Sequence, residues 1–436
     1  MSYKAKIYTL GCKVNQYESE AIAEELEKNG FEIVRGSECG ADVCIINTCT
    51  VTAESDRKSR QMIRRLISSN PEAAVIVTGC YAQVSGDKIA QIKGVDYICG
   101  NKSKMICVQK AMELVKNKNE KAVCEVQELE GAQFEDMSAS HSERTRAYIK
   151  IEDGCENNCS YCIIPMARGK IRSKAPEKVL EEAKKLKDAG YHELVLTGIE
   201  VAAYGKDLQG GIDLGELMVA LDQEVGFERI SLGSLEPSMM RSSFVDKITA
   251  LSGISHHFHL SLQSGCNKTL AGMKRKYNTE KVRQNVDYIR SAMPDATFTA
   301  DIIVGFPGES VEDFDSTCEF IASLDLFDAH VFAYSKRKGT PASELPEQVS
   351  EEEKSRRSSA LTRLCKEKKS ELLKKFATTV KCAPVLFETY EDGVLMGRLN
   401  NFIPVKVKSE TDLSCSIRNV TIFGCTDEEL LGEIAY

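Results

Sequence analysis

Three cysteines lie within eight residues directly behind an apolar run: Gly154-Cys155-Glu-Asn-Asn-Cys159-Ser-Tyr161-Cys162 follows Ala147–Ile151. Three thiolates at this spacing can wrap one face of a 4Fe–4S cube and leave the fourth iron without a protein ligand. An open iron is what a bound, reacting cofactor requires. A zinc site would bring a fourth Cys or His nearby. The local sequence has none, since His141 stands fourteen residues before Cys155.

The run ahead of this loop is the first of six strand candidates: Ala147–Ile151, Leu194–Thr197, Ile230–Leu232, Phe258–Leu262, Phe298–Val304 and Ala329–Tyr334. Helical stretches such as Pro176–Ala189 separate them, so the spacing predicts a partial (β/α)6 barrel with its chemistry at the C-terminal ends of the strands. Asp301-Ile-Ile-Val-Gly305-Phe-Pro-Gly308-Glu309 lacks the Gly-Lys-Ser/Thr ending of a phosphate loop and reads as a shaped strand-to-helix turn.

Upstream, short apolar runs alternate with helical patterns, the signature of a parallel α/β sheet. Strands are expected at Ile7–Leu10, Val43–Asn47, Val75–Thr78 and Val95–Ile98. Helices are expected at Glu18–Asn29, capped by Gly30, and at Glu54–Ser68. Cys12, Cys49 and Cys80 each follow one of these strands. The carboxyl ends of parallel strands share one edge, so the three thiolates should converge on one crevice. The other eleven cysteines, Cys44 among them, read as small buried hydrophobes.

Gly131–Ser142 has no periodicity and reads as a linker. Glu351 to Phe376 reads as a charged helix. Short β-like runs at Val385–Glu388, Val394–Arg398, Phe402–Lys408 and Ser416–Ile422 suit a small β-barrel. The expected units are 1–135, 141–372 and 376–436, and the fold class is α/β with a C-terminal β-barrel.

Seventeen cysteines in a secreted chain would suggest disulfides. Here the amino terminus lacks the apolar core and cleavage site of a signal peptide, and no apolar run reaches the ~18 residues of a membrane span. A cytoplasmic protein with metal-binding thiolates, and no membrane partner, is therefore expected. The net charge of −8 means that any contact with nucleic acid must come from local basic clusters. Arg168-Gly-Lys170-Ile-Arg172 and Lys274-Arg275-Lys276 are candidates. Residues 376–436 hold 5 Lys+Arg against 9 Asp+Glu, which argues against a broad electrostatic grip there. Arg398, Asn400, Asn401 and Phe402 remain candidate contacts. The six histidines, His256, His257 and His259 among them, read as packing or hydrogen-bonding residues.

With its Cys-x3-Cys-x2-Cys loop and Tyr161, the chain resembles the radical S-adenosylmethionine superfamily. That resemblance implies a cofactor whose amino and carboxylate groups chelate the open iron. One electron then cleaves its sulfonium to methionine and a 5′-deoxyadenosyl radical. The cofactor carries the hard chemistry, while the protein supplies geometry and excludes water. Tyr161, together with Gly198 and Glu200 in Leu196-Thr-Gly-Ile-Glu200, Ser234 and Glu236 in Ser231–Pro237, and Gln263, would hold the cofactor. Glu200 departs from the amide that most relatives carry.

Gly11-Cys12-Lys-Val-Asn15-Gln16-Tyr17-Glu18 narrows the resemblance to the methylthiotransferases, over essentially the whole length. These have an N-terminal cluster domain, a radical barrel and a C-terminal RNA-binding barrel of the TRAM type. The stretch is similar to the branch acting on N6-threonylcarbamoyladenosine beside the tRNA anticodon. Sister branches act on isopentenyladenosine or on a ribosomal-protein aspartate. The implications are two 4Fe–4S clusters (the second on Cys12, Cys49 and Cys80), two uses of S-adenosylmethionine, and a reducing donor such as flavodoxin or ferredoxin. The partner would be a tRNA anticodon stem-loop with an unstacked base. An unactivated aromatic C–H offers no useful acid, so no general base is expected. A non-catalytic iron–sulfur RNA-binding regulator is the alternative from another class.

Overall fold

The computed structural model describes residues 2–34, 40–118, 121–140 and 145–435; His141 and the end of the expected linker lie outside them. The N-terminal unit runs β1 (Tyr3–Thr9), α1 (Lys13–Lys28), β2 (Phe31–Ile33), β3 (Val43–Thr48), α2 (Ala53–Ser69), β4 (Ala74–Gly79), α3 (Cys80–Ala90), β5 (Tyr97–Cys99), α4 (Ile106–Leu114) and β6 (Val123–Glu125). Its strands form one parallel sheet in the order β2-β1-β3-β4-β5-β6. The four expected strands and two helices are present. β2 and β6 escaped the sequence reading because each is three residues long without the fully buried apolar run that marks β5, and β6 is exposed along its whole length.

Apolar side chains of β3 and β4 divide between two cores. Ile45 and Ile76 pack with α1 and α4, while Cys44, Val75 and Val77 pack with α2 and α3. α2 is capped by Thr52, whose hydroxyl accepts from the Ser55 N–H at 3.1 Å, and acidic residues occupy its first turn, as the helix dipole favours. The stretch read as a linker carries no helix or strand in its described part, yet Met137 and Ala139 are buried against the first of these cores.

The central unit holds β7 (Arg146–Lys150), β8 (Glu152–Asp153), α5 (Ile164–Arg168), β9 (Arg172–Ser173), α6 (Pro176–Asp188), β10 (Glu193–Thr197), α7 (Leu214–Glu224), β11 (Arg229–Leu232), α8 (Ser242–Thr249), β12 (His257–Gln263), α9 (Asn267–Gly272), α10 (Thr279–Ala292), β13 (Thr297–Val304), α11 (Val311–Ser323) and β14 (Asp328–Ala333). All six barrel strands expected from the sequence form, as two parallel sheets, β7-β10-β11 and β12-β13-β14. Single bridges, Ile230 to Ile254 and Leu235 to Leu260, join them. On β12 the apolar Phe258, Leu260 and Leu262 are buried, while His257, His259, Ser261 and Gln263 are half-buried on the opposite face.

α12 (Glu351–Thr379) leads to β15 (Cys382–Glu391), β16 (Val394–Arg398), β17 (Pro404–Lys408), β18 (Ile417–Cys425) and β19 (Leu430–Ile434), which close as a five-stranded barrel. This barrel sits against the starts of the central strands. Arg229 donates to the carbonyls of Arg398 at 2.9 Å and Pro384 at 3.1 Å, and Ser255 and Thr297 donate to those of Asn400 and Asn401. At the other end of the central sheet, Arg337 reaches Asp56 at 2.8 Å and Thr50 at 2.7 Å, fastening α2 beside β14.

Candidate functional site

Cys155, Cys159 and Cys162 occupy the turn between β8 and α5. The Cys155 N–H donates to Gly169 O at 3.0 Å, and that of Ser160 to Met273 O at 3.1 Å. Gly154 is required at its place: its φ is +96°, and a Cβ there would lie 2.0 Å from Lys170 O. Arg275 places Nη1 3.0 Å from Cys159 Sγ. Burial pushes the thiols of Cys155 and Cys162 up, to about 12 and about 11. Metal loading must therefore displace protons.

Cys12, Cys49 and Cys80 follow β1, β3 and β4, three neighbouring strands, at one sheet edge. Cys12 caps α1 and Cys80 opens α3, so two of the three cysteines stand at helix N-termini. Gly11 lets the Cys49 side chain lie against the backbone, since a Cβ there would stand 3.0 Å from its Sγ. Gly79, at φ +99°, lets β4 turn into α3 at a point where a Cβ would lie 2.4 Å from Thr48 O. Burial raises the Cys49 thiol to about 11, with Cys80 and Cys12 adding to the rise. Cys12 opens to solvent but has protein packed around it, and this desolvation raises its thiol against the pull of Arg168.

Arg168 touches this second triad, its Nε lying 3.1 Å from Cys80 Sγ. Each triad thus has one arginine on one sulfur. α5 runs from the first cysteine loop to Arg168, and its five residues span about 7.5 Å. The two triads therefore lie close together. A tetrahedral zinc site would hold its sulfurs about 3.8 Å apart. Among the described residues neither cysteine triad has three donor atoms mutually within 4.8 Å. That wider spacing and the arginine counter-charges fit a cluster better than a single ion.

The strand ends gather acidic groups above the first triad. Asn157, inside the cysteine loop, donates to Glu200 Oε2 at 2.9 Å and to Glu236 Oε2 at 2.8 Å. The Glu200 N–H donates to Glu152 Oε2 at 2.7 Å, and Gly198 is small enough to lie over Glu152. Burial, then Glu236, pushes the Glu200 carboxyl up to about 7. The Oε1 atoms of Glu152 and Glu200 are buried without a hydrogen-bond partner. Orphaned acidic oxygens suit a cofactor bearing an ammonium and a sulfonium. Gln263 ends β12 at φ +69°, Ser234 is exposed, and Tyr161 packs with Met273, Phe306 and Tyr334. Asn157 and Glu152 were missed by sequence reasoning, and Arg275 was expected only as a phosphate contact.

Other expectations are corrected. Arg168 and Arg172, read as phosphate contacts, are buried. Arg168 binds Glu18 at 2.6 Å and Asp153 at 3.1 Å, and Arg172 binds Asp153 at 3.2 Å. Arg275 is spent on Cys159, while Lys170 stays exposed. Arg398 lies over the Phe402 ring at 4.1 Å, and Phe402 stacks on His257 at 4.7 Å. Both face β12, as Asn400 and Asn401 face Ile254 and Asp295. His256, His257 and His259 are hydrogen-bonding residues, as expected, with Asp295, Thr297 and Thr299 as partners. In the strand-to-helix turn, the Glu309 carboxylate accepts from the N–H groups of Gly305 and Phe306.

Residues 4–100 match the family described as Uncharacterized protein family UPF0004, and residues 149–321 match the Radical SAM superfamily. A threonylcarbamoyladenosine tRNA methylthiotransferase of Bacillus subtilis is 39% identical over 95% of this chain and 92% of its own length. One from Thermotoga maritima is 37% identical over 94% and 96%. The chain belongs to the methylthiotransferase family of radical S-adenosylmethionine enzymes. A second kind of family member, a tRNA-2-methylthio-N(6)-dimethylallyladenosine synthase of Pelotomaculum thermopropionicum, is 34% identical over 99% and 98%. The methylthiotransferase fold is similar to that of the radical S-adenosylmethionine methyltransferase TsrM of Kitasatospora setae. The TM-score is 0.59 at 16% identity, covering 79% of this chain and 77% of that one. Membership of the family carries with it a 4Fe–4S cluster and S-adenosylmethionine. No described helix is long and apolar enough to cross a membrane.

Proposed function

We propose that this methylthiotransferase converts N6-threonylcarbamoyladenosine, next to the anticodon of tRNA, to its 2-methylthio derivative. The carrying observation is the pair of cysteine triads joined by α5, each with one arginine on a sulfur. A relative named for threonylcarbamoyladenosine reaches 39% identity, against 33–37% for relatives named for dimethylallyladenosine, which supports the former base.

Cys155, Cys159 and Cys162 hold the cluster that opens S-adenosylmethionine, and Cys12, Cys49 and Cys80 hold a second 4Fe–4S cluster. When bound, these groups would supply the 5′-deoxyadenosyl radical that takes the hydrogen from C2 of adenine, leaving as 5′-deoxyadenosine, and the methylthio group that replaces that hydrogen. The chain's own residues do the rest. Glu200 and Glu236, set by Asn157, take the cationic end of the cofactor, with Gly198, Tyr161, Ser234 and Gln263 around it. Arg275 and Arg168 offset thiolate charge. The three units, 1–135, 141–372 and 376–436, divide the work into sulfur supply, radical chemistry and RNA binding, the last as a TRAM barrel, with Lys170 an exposed contact. The electron donor is a flavodoxin or ferredoxin, and the setting is the cytoplasm.

Nucleoside mass spectrometry on tRNA from a deletion strain tests the reading. Loss of 2-methylthio-N6-threonylcarbamoyladenosine, restored by the gene, is the expected result. An unchanged level in a strain with no second such enzyme rejects it.

A further inference from the structure

The strand face opposite the helices carries a third group of metal-ligand side chains, well separated in sequence from all six cysteines. His259 Nε2 lies 3.2 Å from Asp301 Oδ2, and Asp301 Oδ1 lies 3.3 Å from His330 Nδ1. One donor atom from each lies within 4.8 Å of the other two, and among the described residues no other His, Cys, Asp or Glu trio is so close. The placement follows from register. Asp301 and His330 are direct partners on β13 and β14, and His259 pairs with Thr299, two residues before Asp301. Three adjacent strands thus hold the donors on one rigid face.

A second feature resembles a built site. The other ring nitrogen of His259, Nδ1, is 2.7 Å from Thr299 Oγ1. Histidine ligands are usually oriented in this way, by an oxygen on the nitrogen that does not bind the metal. The trio is also reachable, with the His330 side chain 65% exposed and Asp301 26%. The charge of Lys13, felt at His330, opposes a cation there, while Asp301 and Asp328 supply compensating negative charge.

We infer that His259, Asp301 and His330 form a binding site for a divalent transition-metal ion of the zinc class. Two imidazoles and a carboxylate are the donor set such ions take, and three protein ligands leave a position for water or an oxygen-bearing ligand. A plain His–Asp–His hydrogen-bond chain would share these distances but bind no metal.

Zinc binding separates the two. The full chain is first loaded anaerobically with iron and sulfide, so that its cysteine sites are filled, then dialysed against buffered Zn2+ and analysed for both metals. Wild type should take up one more zinc per chain than Asp301→Asn or His330→Gln, at unchanged iron, with at least tenfold weaker binding in the variants. His330→Gln changes a largely exposed side chain, which guards against misfolding in the Asp301 variant. Equal zinc in all three proteins, or zinc gained only as iron is lost, overturns the site.

Discussion

Arg168 and Glu18 stand 150 positions apart in the chain and meet at 2.6 Å, both fully buried. Glu18 also binds Lys150 at 2.7 Å and Lys104, and Asp153 closes the group on Lys150, Arg168 and Arg172. Burial raises the Glu18 carboxyl, but Arg168, Lys104 and Lys150 outweigh it and hold it well below the usual carboxylate range. The network joins α1 of the N-terminal unit to the central barrel, and through Nε of Arg168 it touches Cys80.

Removing one member of such a network leaves its partners buried and uncompensated. Arg168→Met should cost about 3–5 kcal/mol, read by urea unfolding. It should also reduce iron bound at Cys12, Cys49 and Cys80 more than at the other triad. Arg168→Lys keeps the charge but not the fork, and should recover only part of the stability.

The two triads should be separable. Cys155→Ala is expected to lose roughly half of an eight-iron load and to abolish release of 5′-deoxyadenosine with dithionite and S-adenosylmethionine. Cys49→Ala should lose iron to the same extent yet keep that release. Iron analysis and chromatography of the nucleoside check both. Full iron in both variants would show the ligand assignment to be wrong.

These contacts show where sequence reading reaches. Cys12, Cys49 and Cys80 were legible because parallel strands share a carboxyl edge, so three separate strand ends could be placed together without a linear motif. The six barrel strands were legible from apolar runs. Arg168 was misread because Arg-Gly-Lys-Ile-Arg has no periodicity that distinguishes inside from outside, and its partner Glu18 lies in another unit. Asn157 and Arg275 carry no local signal, since each acts on groups from other loops. β19 was missed because Gly432 and Glu433 interrupt its short apolar run and it pairs with β17 across the chain order.

Glu200 should set the pH dependence of cofactor binding. Its carboxyl, raised from an ordinary 4.5 to about 7, is mostly protonated at pH 6 and charged at pH 8. A cationic ligand should therefore bind about tenfold tighter at pH 8 than at pH 6, by calorimetry, and Glu200→Gln should flatten that slope. The stability sign is opposite. A raised folded-state pKa gives a contribution present below pH 4.5 and lost as pH rises through 7. Without cofactor, Glu200→Gln should gain stability relative to wild type between pH 5 and pH 8.

Phe402 fastens the C-terminal barrel to the central one at the cost of its own backbone. Its ring stacks on His257 at 4.7 Å and lies under Arg146 at 5.0 Å and Arg398 at 4.1 Å. Its φ of +68° is in the left-handed region. Loss of the ring contacts should destabilise the docked barrel by about 1–3 kcal/mol. Left-handed backbone costs a residue with a Cβ about 1–2 kcal/mol and glycine almost nothing. Phe402→Ala loses the contacts and keeps the strain, whereas Phe402→Gly loses both. Calorimetric melting should therefore place Phe402→Ala below both wild type and Phe402→Gly. The gap between the two variants measures the strain, and the gap between wild type and Phe402→Gly measures what the ring contributes beyond it. Equal melting of Phe402→Ala and wild type would show that the carbonyl contacts of Arg229, Ser255 and Thr297 hold the barrel without it.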